Sequence, residues 1–424
     1  MCSAVWSKES QNADSHPPQP CYGPIESLQF EGEKRSHPDY LRDVVNLPLG
    51  SDCDSHTLEQ ARQALMDTEL FRSVRAHSNP SAGGTSITYT VAEKFYWIPL
   101  PRITRSSDGE IGLGGQLKAY HLWGRNHTLD FTSEVSRKDE GQGNKTYTHE
   151  IDYLAPRLIN SNFGFSLGAL WKDSERDLYV GPSVVGEANT EDQGGSVRLI
   201  HWLSEQRAEE RLRISYSYRW NEREFELTQG ASGGQTGGSA TEFSVGLHWS
   251  DVHYTEYRRT GRQAQAIGTL SRQALSSDSN HEHLLLIWRE YKALDWLYLD
   301  NLNTQVVLGY SSNNHYGVEP FSLGGSDFLR GLEDNSDHGY NLFQANIQYL
   351  SALKPTPTLR WGGFVDIGNV FDRHHYDLAD IEYSLGASLR WKVRWLVRTD
   401  IRLDAGYHPQ SNTGKVYLGT NALF

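Results

Sequence analysis

Leu396-Val-Arg-Thr-Asp-Ile-Arg-Leu-Asp-Ala-Gly-Tyr-His408 is the stretch whose reading decides the fold. In an extended strand, Val397, Thr399, Ile401, Leu403, Ala405 and Tyr407 share one face. Arg398, Asp400, Arg402, Asp404, Gly406 and His408 share the other, because successive side chains alternate across a strand. Four charges on one face need water or mutual pairing, while the opposite face is clean enough to meet lipid. The segment is about as long as a tilted strand needs to cross a bilayer, ~9–11 residues.

The same alternation recurs in Phe163-x-Phe-x-Leu-x-Ala-x-Trp171, in Leu212-Arg-Ile-Ser-Tyr-Ser-Tyr-Arg-Trp220 and in Tyr383-x-Leu-x-Ala-x-Leu-x-Trp391. About sixteen candidate strands follow, starting near residues 112, 127, 146, 162, 177, 192, 209, 240, 264, 283, 302, 340, 358, 382, 396 and 414. If the first strand rises outward from an N-terminal domain, the two longest connections, 220–239 and 312–339, both lie outside. The link of about two residues between strands fourteen and fifteen lies inside. Long outer loops and short inner turns are the asymmetry of outer-membrane barrels. The fold class expected is an all-β transmembrane barrel of about 16 antiparallel strands, preceded by one small α/β domain.

Composition agrees. No apolar run approaches the roughly 18 residues of a membrane helix; Leu284-Leu-Leu-Ile-Trp288 is the nearest. The mean hydropathy of −0.60 is compatible with barrel strands, whose two faces average out. The 12 Trp and 22 Tyr suit interfacial girdles. A net charge of −13 argues against nucleic acid as a partner. Three cysteines make no disulfide framework; Cys21 and Cys53 suit either a bridge in an oxidising compartment or two free thiols. Met1-Cys-Ser-Ala-Val-Trp6 has neither the basic region nor the apolar core of an export signal, so such a signal has been cut away or lies upstream.

Residues 1–23 are polar and proline-containing and read as a disordered leader. Residues 24–93 read as β-α-α-β-β. A strand runs from Ile25 to Gly32, and a helix spans 38–47 before Pro48 and Gly50. A second helix is carried by Leu58, Ala61, Leu65 and Met66 behind Asp54 or Ser55 as N-cap. Strands at 71–77 and 86–91 flank a turn at 79–84. Residues 94–424 read as the barrel. The signature Ile25-x-x-Leu-x-Phe-x-Gly32, Leu65-x-x-Thr68-x-Leu-Phe71-x-x-Val74 and Ile87-x-Tyr-x-Val91-x-Glu93 resembles a POTRA domain. The resemblance implies a periplasmic unit with an open strand edge, to which an unfolded polypeptide adds as an extra strand.

Two further segments are Phe321-Ser-Leu-Gly-Gly-Ser-Asp-Phe-Leu-Arg-Gly-Leu332 and Gly363-Phe-Val-Asp-Ile-Gly-Asn-Val-Phe371. Together they resemble the BamA/TamA superfamily of outer-membrane assembly factors, the bacterial surface antigens, whose relatives include two-partner secretion transporters. Leu-Arg-Gly-Leu matches the family's loop motif and Phe-Val-Asp-Ile-Gly its strand motif. The resemblance implies that the loop, 312–339, folds into the lumen and that Arg330 pairs with Asp366, with Gly331 and Gly368 in the two motifs. A guanidinium fork grips a carboxylate bidentately, which an ammonium does not. Phe321, Gly324 and Gly325 complete the loop motif. Leu332 stands where the family prefers an aromatic, implying looser packing of the tip. Gln348 stands at the expected place of a second, glutamate partner, so Arg330 is expected to rest on Asp366 alone.

The resemblance further implies that the first and last strands meet at a weak seam. Gly114, Gly115, Gly419 and the terminal Phe424 are its candidates; Phe424 also resembles the signal read by the barrel-assembly machinery. The expected function is assembly, insertion or translocation of unfolded or nascent outer-membrane and secreted polypeptides, in contact with the lipid bilayer. The alternatives are a two-partner-type pore for one exoprotein, or the barrel part of a fused patatin-like system. No enzyme site and no cofactor are expected. His281-x-His283 and His374-His375 offer no metal-ligand spacing.

Overall fold

The computed structural model describes residues 21–105, 110–138, 145–180, 183–204, 211–294, 296–332, 336–373 and 380–420. Of the leader expected over 1–23, residues 1–20 lie outside them, as do His374-His375 and the terminal Phe424. Cys21 and Gly23 belong to the N-terminal unit instead, Cys21 being buried and Gly23 O accepting from Cys53 N at 2.8 Å. Among the described residues no helix is long and apolar enough to cross a membrane.

The N-terminal unit is β1 (Ile25–Glu31), α1 (Pro38–Val45), α2 (Ser55–Asp67), β2 (Phe71–Ser81) and β3 (Gly84–Glu93). Pro38 opens α1, where its missing N–H costs nothing. Tyr40, Leu41, Val44 and Val45 form the buried stripe of α1; Leu58, Ala61, Leu65 and Met66 form that of α2. Both pack on a three-stranded sheet of order β1-β3-β2, with β1 parallel to β3 and β2 antiparallel to it. The hairpin is tighter than the turn expected at 79–84, because pairing continues to Ser81 opposite Gly84. Cys21 and Cys53 are disulfide-bonded, closing the unit's first strand against the start of α2.

The remainder is a 16-stranded antiparallel sheet. It begins with β4 (Trp97–Arg105), β5 (Glu110–Leu122), β6 (His127–Lys138) and β7 (Lys145–Ala155). Four long strands follow: β8 (Phe163–Val180), β9 (Ser183–Trp202), β10 (Leu212–Gly230) and β11 (Gly238–Tyr254). Next come β12 (Arg259–Ser271), β13 (His281–Ala293) and β14 (Asn301–Ser311). The loop after β14 carries a short hairpin, β15 (Phe321–Leu323) and β16 (Asp337–Gly339). The sheet ends with β17 (Asn341–Ala352), β18 (Leu359–Phe371), β19 (Glu382–Lys392), β20 (Asp400–His408) and β21 (Thr413–Thr420).

Alternation sorts the residues. On β20, Arg402, Asp404, Gly406 and His408 are buried, while Leu403, Ala405 and Tyr407 are exposed. Across the sheet Phe131, Ile151, Val245, Leu286 and Val365 also face outward. A soluble protein does not surround itself with such a surface; a barrel in lipid does. Trp361 and Trp391 are exposed near the end that carries the N-terminal unit, and Tyr310, Tyr383 and Tyr407 near the other.

The strand count stands, but its parts shift. The first strand is β4, not one near 112. Its Ile98-Pro-Leu-Pro101 hides a strand from a propensity reading, since proline is excluded from sheet interiors. In compensation, the three strands expected near 162, 177 and 192 are only β8 and β9, of 18 and 20 residues. Twenty residues reach ~65 Å, about twice a bilayer core, so these strands project well beyond it. The long connection expected at 220–239 shrinks to 231–237 for the same reason: β10 stays paired with β9 through Gly230. The expected short link between strands fourteen and fifteen is instead 393–399. Val397 there is fully buried beneath the N-terminal unit, and Arg398 has φ 48°. Docking takes these residues out of the strand that their alternation suggested.

The N-terminal unit sits on the barrel's end. Its core continues into Tyr96, Ile98, Tyr120 and Val397 of the barrel. Phe95 N donates to Trp395 O (2.7 Å), Tyr254 N to an Asp67 carboxylate oxygen (2.8 Å), and His37 N to Gly124 O (3.0 Å).

Candidate functional site

Between β14 and β17 the chain folds back inside the barrel over residues 321–332. Leu323, Leu329 and Leu332, with Phe321, pack against Val307, Leu342 and Val370 of the inner wall. Leu332 is therefore buried, and the looser tip expected from its lack of an aromatic ring is not what forms. Gly324 and Gly325 turn the chain at φ 95° and 91°, values a side chain disfavours.

This fold-back carries Arg330 to β18. Arg330 Nε donates to Asp366 Oδ2 (2.8 Å) and Nη2 to Asp366 Oδ1 (2.7 Å), and the Arg330 backbone N–H adds a third bond at 3.2 Å. Both residues are 0% exposed. The guanidinium carbon stands 3.4 Å from the centroid of the Phe364 ring, so Phe364 of the strand motif forms the floor of the site.

Arg330 does not rest on Asp366 alone, as expected, because a second carboxylate reaches it and Gln348 is engaged elsewhere. Gln348 donates to Ser388 Oγ (2.8 Å) and does not reach Arg330. Two positions earlier on the same face, Asn346 donates to Asp366 Oδ1 (2.9 Å) and to Phe328 O (2.9 Å). The second carboxylate comes from β20: Asp404 Oδ2 lies 3.5 Å from Arg330 Nη1. Arg390 grips Asp404 at 2.7 and 3.1 Å, and Ser388 donates to it at 2.6 Å. Arg330, Asp366, Arg390 and Asp404 are thus two cations and two anions on one loop and three strands. An isolated buried ion is costly, and this charge balance and bonding offset the cost. The alternation of 396–408 marked Asp404 as a lumen charge; nothing in the sequence said which loop residue lay opposite it.

The tip also grips the last two strands. Gly331, at φ 103°, donates to Tyr417 Oη (3.1 Å), and Tyr417 Oη donates to Leu332 O (3.0 Å). Thr413 Oγ1 donates to Gly331 O (2.9 Å). On β20, Gly406 leaves room for the tip: a Cβ there would lie 2.7 Å from the Arg330 carbonyl carbon. Arg402 holds the approach through Ser326 and Asp327, both at 2.9 Å. Gly368 lies two residues beyond Asp366 on β18, paired with Gln344.

Residues 109–394 match the model of the Omp85 superfamily domain. The chain belongs to the Omp85 superfamily. With membership come the outer membrane as location and polypeptide insertion or translocation as the class of transport. The fold of this Omp85 barrel is similar to that of CdiB from Acinetobacter baumannii, with TM-score 0.63 and 13% identity over 94% of this chain and 73% of that one. It is similar to CdiB from Escherichia coli, with TM-score 0.58 and 13% identity over 98% and 92%. It is also similar to BamA from Haemophilus ducreyi lacking POTRA domains 1-3, with TM-score 0.56 and 12% identity over 94% and 84%. No curated protein sequence matches this chain significantly.

The seam candidates fare unevenly. Gly114 and Gly115 are on β5, opposite Arg102 and Pro101, so they stand one strand in from the edge. The error follows from missing β4. Gly419 lies on the terminal β21 opposite Arg402. Among the described residues, no ladder pairs β4 with β21.

Proposed function

We propose that this Omp85 barrel captures unfolded outer-membrane or secreted polypeptides at its N-terminal unit, a POTRA-like domain in the periplasm, and hands them to the barrel. At rest the lumen loop is held by the Arg330–Asp366 lock. The observation that carries this reading is the fully buried arginine at the tip of a loop bonded to β17, β18, β20 and β21. The N-terminal sheet supports client capture: β1 and β2 each pair only with β3 among the described residues, leaving edges for an added strand. The test of the lock is conductance in planar bilayers. Arg330→Ala is expected to raise it by freeing the loop; an unchanged value removes the plugging role.

One observation favours sideways insertion over export through the lumen. Tyr120 N donates to Tyr96 O (2.8 Å), so residue 96 and every second residue after it bond toward β5. Pro99 and Pro101 therefore direct their nitrogens at the other edge, the one nearer β21. That edge lacks two donors, and a seam built on it is weak. Cysteines placed across β4 and β21 and crosslinked are expected to stop client assembly. Full activity in the locked form would leave the two-partner-type pore as the better reading.

A further inference from the structure

Away from the lock, the far end of the lumen holds a second cluster. Glu242 is on β11, His281 is the first residue of β13, and His315 is on the outer limb of the lumen loop. One nitrogen or oxygen from each lies within 4.8 Å of the other two. His281 is 3% exposed, and the His281 and His315 rings stand 4.7 Å apart.

We propose that Glu242, His281 and His315 bind one divalent transition-metal ion, zinc by the chemistry of the donor set, which staples the loop's outer limb to the barrel wall. Two imidazoles and a carboxylate form a common zinc triad, with water in the fourth position. The outer hydrogen bonds fit it. His281 Nδ1 lies 2.8 Å from Asn313 O, an atom that only accepts, so Nδ1 carries the proton and Nε2 keeps its lone pair. His315 Nδ1 lies 2.8 Å from Ser279 Oγ, whose hydroxyl donates to Asn314 O. The serine oxygen then accepts from Nδ1, and His315 Nε2 keeps its lone pair as well. Such second partners orient imidazoles for metal.

What remains is a mismatch that a cation resolves. His315 Nε2 is buried without a hydrogen-bond partner and faces Glu242 Oε1 at 3.6 Å. Two acceptors so placed repel unless something positive lies between them. Ligands at ~2.1 Å from a tetrahedral ion stand about 3.4 Å apart, so the triad closes on zinc with side-chain shifts of about 1 Å. The sequence shows no metal spacing because the ligands come from two strands and a loop. The ion would fix the loop's outer limb independently of Arg330 at its tip.

The test uses the full chain, without a histidine tag, folded in detergent and stripped with a chelator. Zinc titration by calorimetry is expected to show one site of about micromolar affinity or tighter. His315→Ala and Glu242→Gln are each expected to weaken it at least about tenfold. Cobalt is expected to give the visible absorption of a tetrahedral site in the wild type and to lose it in both variants. Retention of the heat-modifiable folded band on gels excludes misfolding as the cause. No binding, or equal binding by all three proteins, overturns the proposal. In the first case a proton alone bridges His315 and Glu242; in the second the metal sits elsewhere. Binding is read without any transport assay, so its failure is separate from a failure of the transport reading.

Discussion

Arg330 is the largest fully buried side chain among those described, and its surroundings decide what its removal costs. Truncating it leaves Asp366 and Asp404 facing a gap. Breaking a buried pair in this way costs roughly 3–5 kcal/mol where the site cannot take up water. The same logic singles out Asp404. Asp404→Asn deprives Arg390 of both charged bonds and leaves Arg330 with one carboxylate. We expect the folded band of that variant to melt at a clearly lower temperature than wild type, approaching Asp366→Asn. A wild-type melting temperature would mean that Asp404 is no second anchor. Gln348→Ala is expected to act weakly by comparison, since it loses a neutral bond to Ser388 worth about 1 kcal/mol.

At the scale of elements, the loop tip and the two terminal strands of the sheet depend on small residues and missing donors. Gly406→Ala puts a methyl where the Arg330 backbone lies, with no change of charge. It is expected to raise bilayer conductance as Arg330→Ala does; closed, wild-type behaviour would show that the tip yields without leaving its site. The edge of β4 makes the opposite prediction. Replacing Pro99 with Val and Pro101 with Thr restores two N–H groups facing β21. Greater resistance of the barrel to heat is expected, with slower client assembly. Unaltered assembly kinetics would show that the seam is not limiting. β4 was illegible in the sequence because two prolines within five residues read as a breaker, and only a place at an edge tolerates them. The long β8 and β9 were misread because strand length was taken from bilayer thickness, whereas mutual pairing carries them beyond the membrane.

In the whole molecule, the N-terminal unit and the barrel share one core, and Lys94 lies at their junction. Its ammonium donates to Glu69 O (2.9 Å). Burial lowers its pKa to about 8 from 10.5, with Lys392 adding to the fall and Glu69 opposing it. The folded value lies below the unfolded one, so the fold is penalised at every pH below about 8. The penalty fades as pH rises toward 10.5, because the unfolded chain alone then holds the extra proton. The stability of Lys94→Met relative to wild type should therefore fall between pH 8 and 10.5 in chemical unfolding. A difference that is flat with pH would mean that docking does not desolvate Lys94.

Alternation by itself determined the barrel and the lumen side of β20, since a period of two assigns every side chain to lipid or lumen without knowledge of its neighbours. It reached sixteen strands only because the missed β4 offset one strand too many across β8 and β9. Two short motifs pointed to Arg330 and Asp366 through their resemblance to the superfamily's loop and strand motifs, which are local in sequence. Tertiary structure alone decided the rest. Asn346 and Asp404, rather than Gln348, complete the arginine's surroundings, because the angle at which the loop re-enters the lumen selects which strands it meets. The N-terminal unit converts 396–399 from strand to docking loop by burying Val397. Glu242, His281 and His315 converge only when the sheet closes and the loop folds in, so no spacing along the chain announces them. Period is a property of one strand; partnership depends on curvature, docking and a loop's path, and these belong to the folded whole.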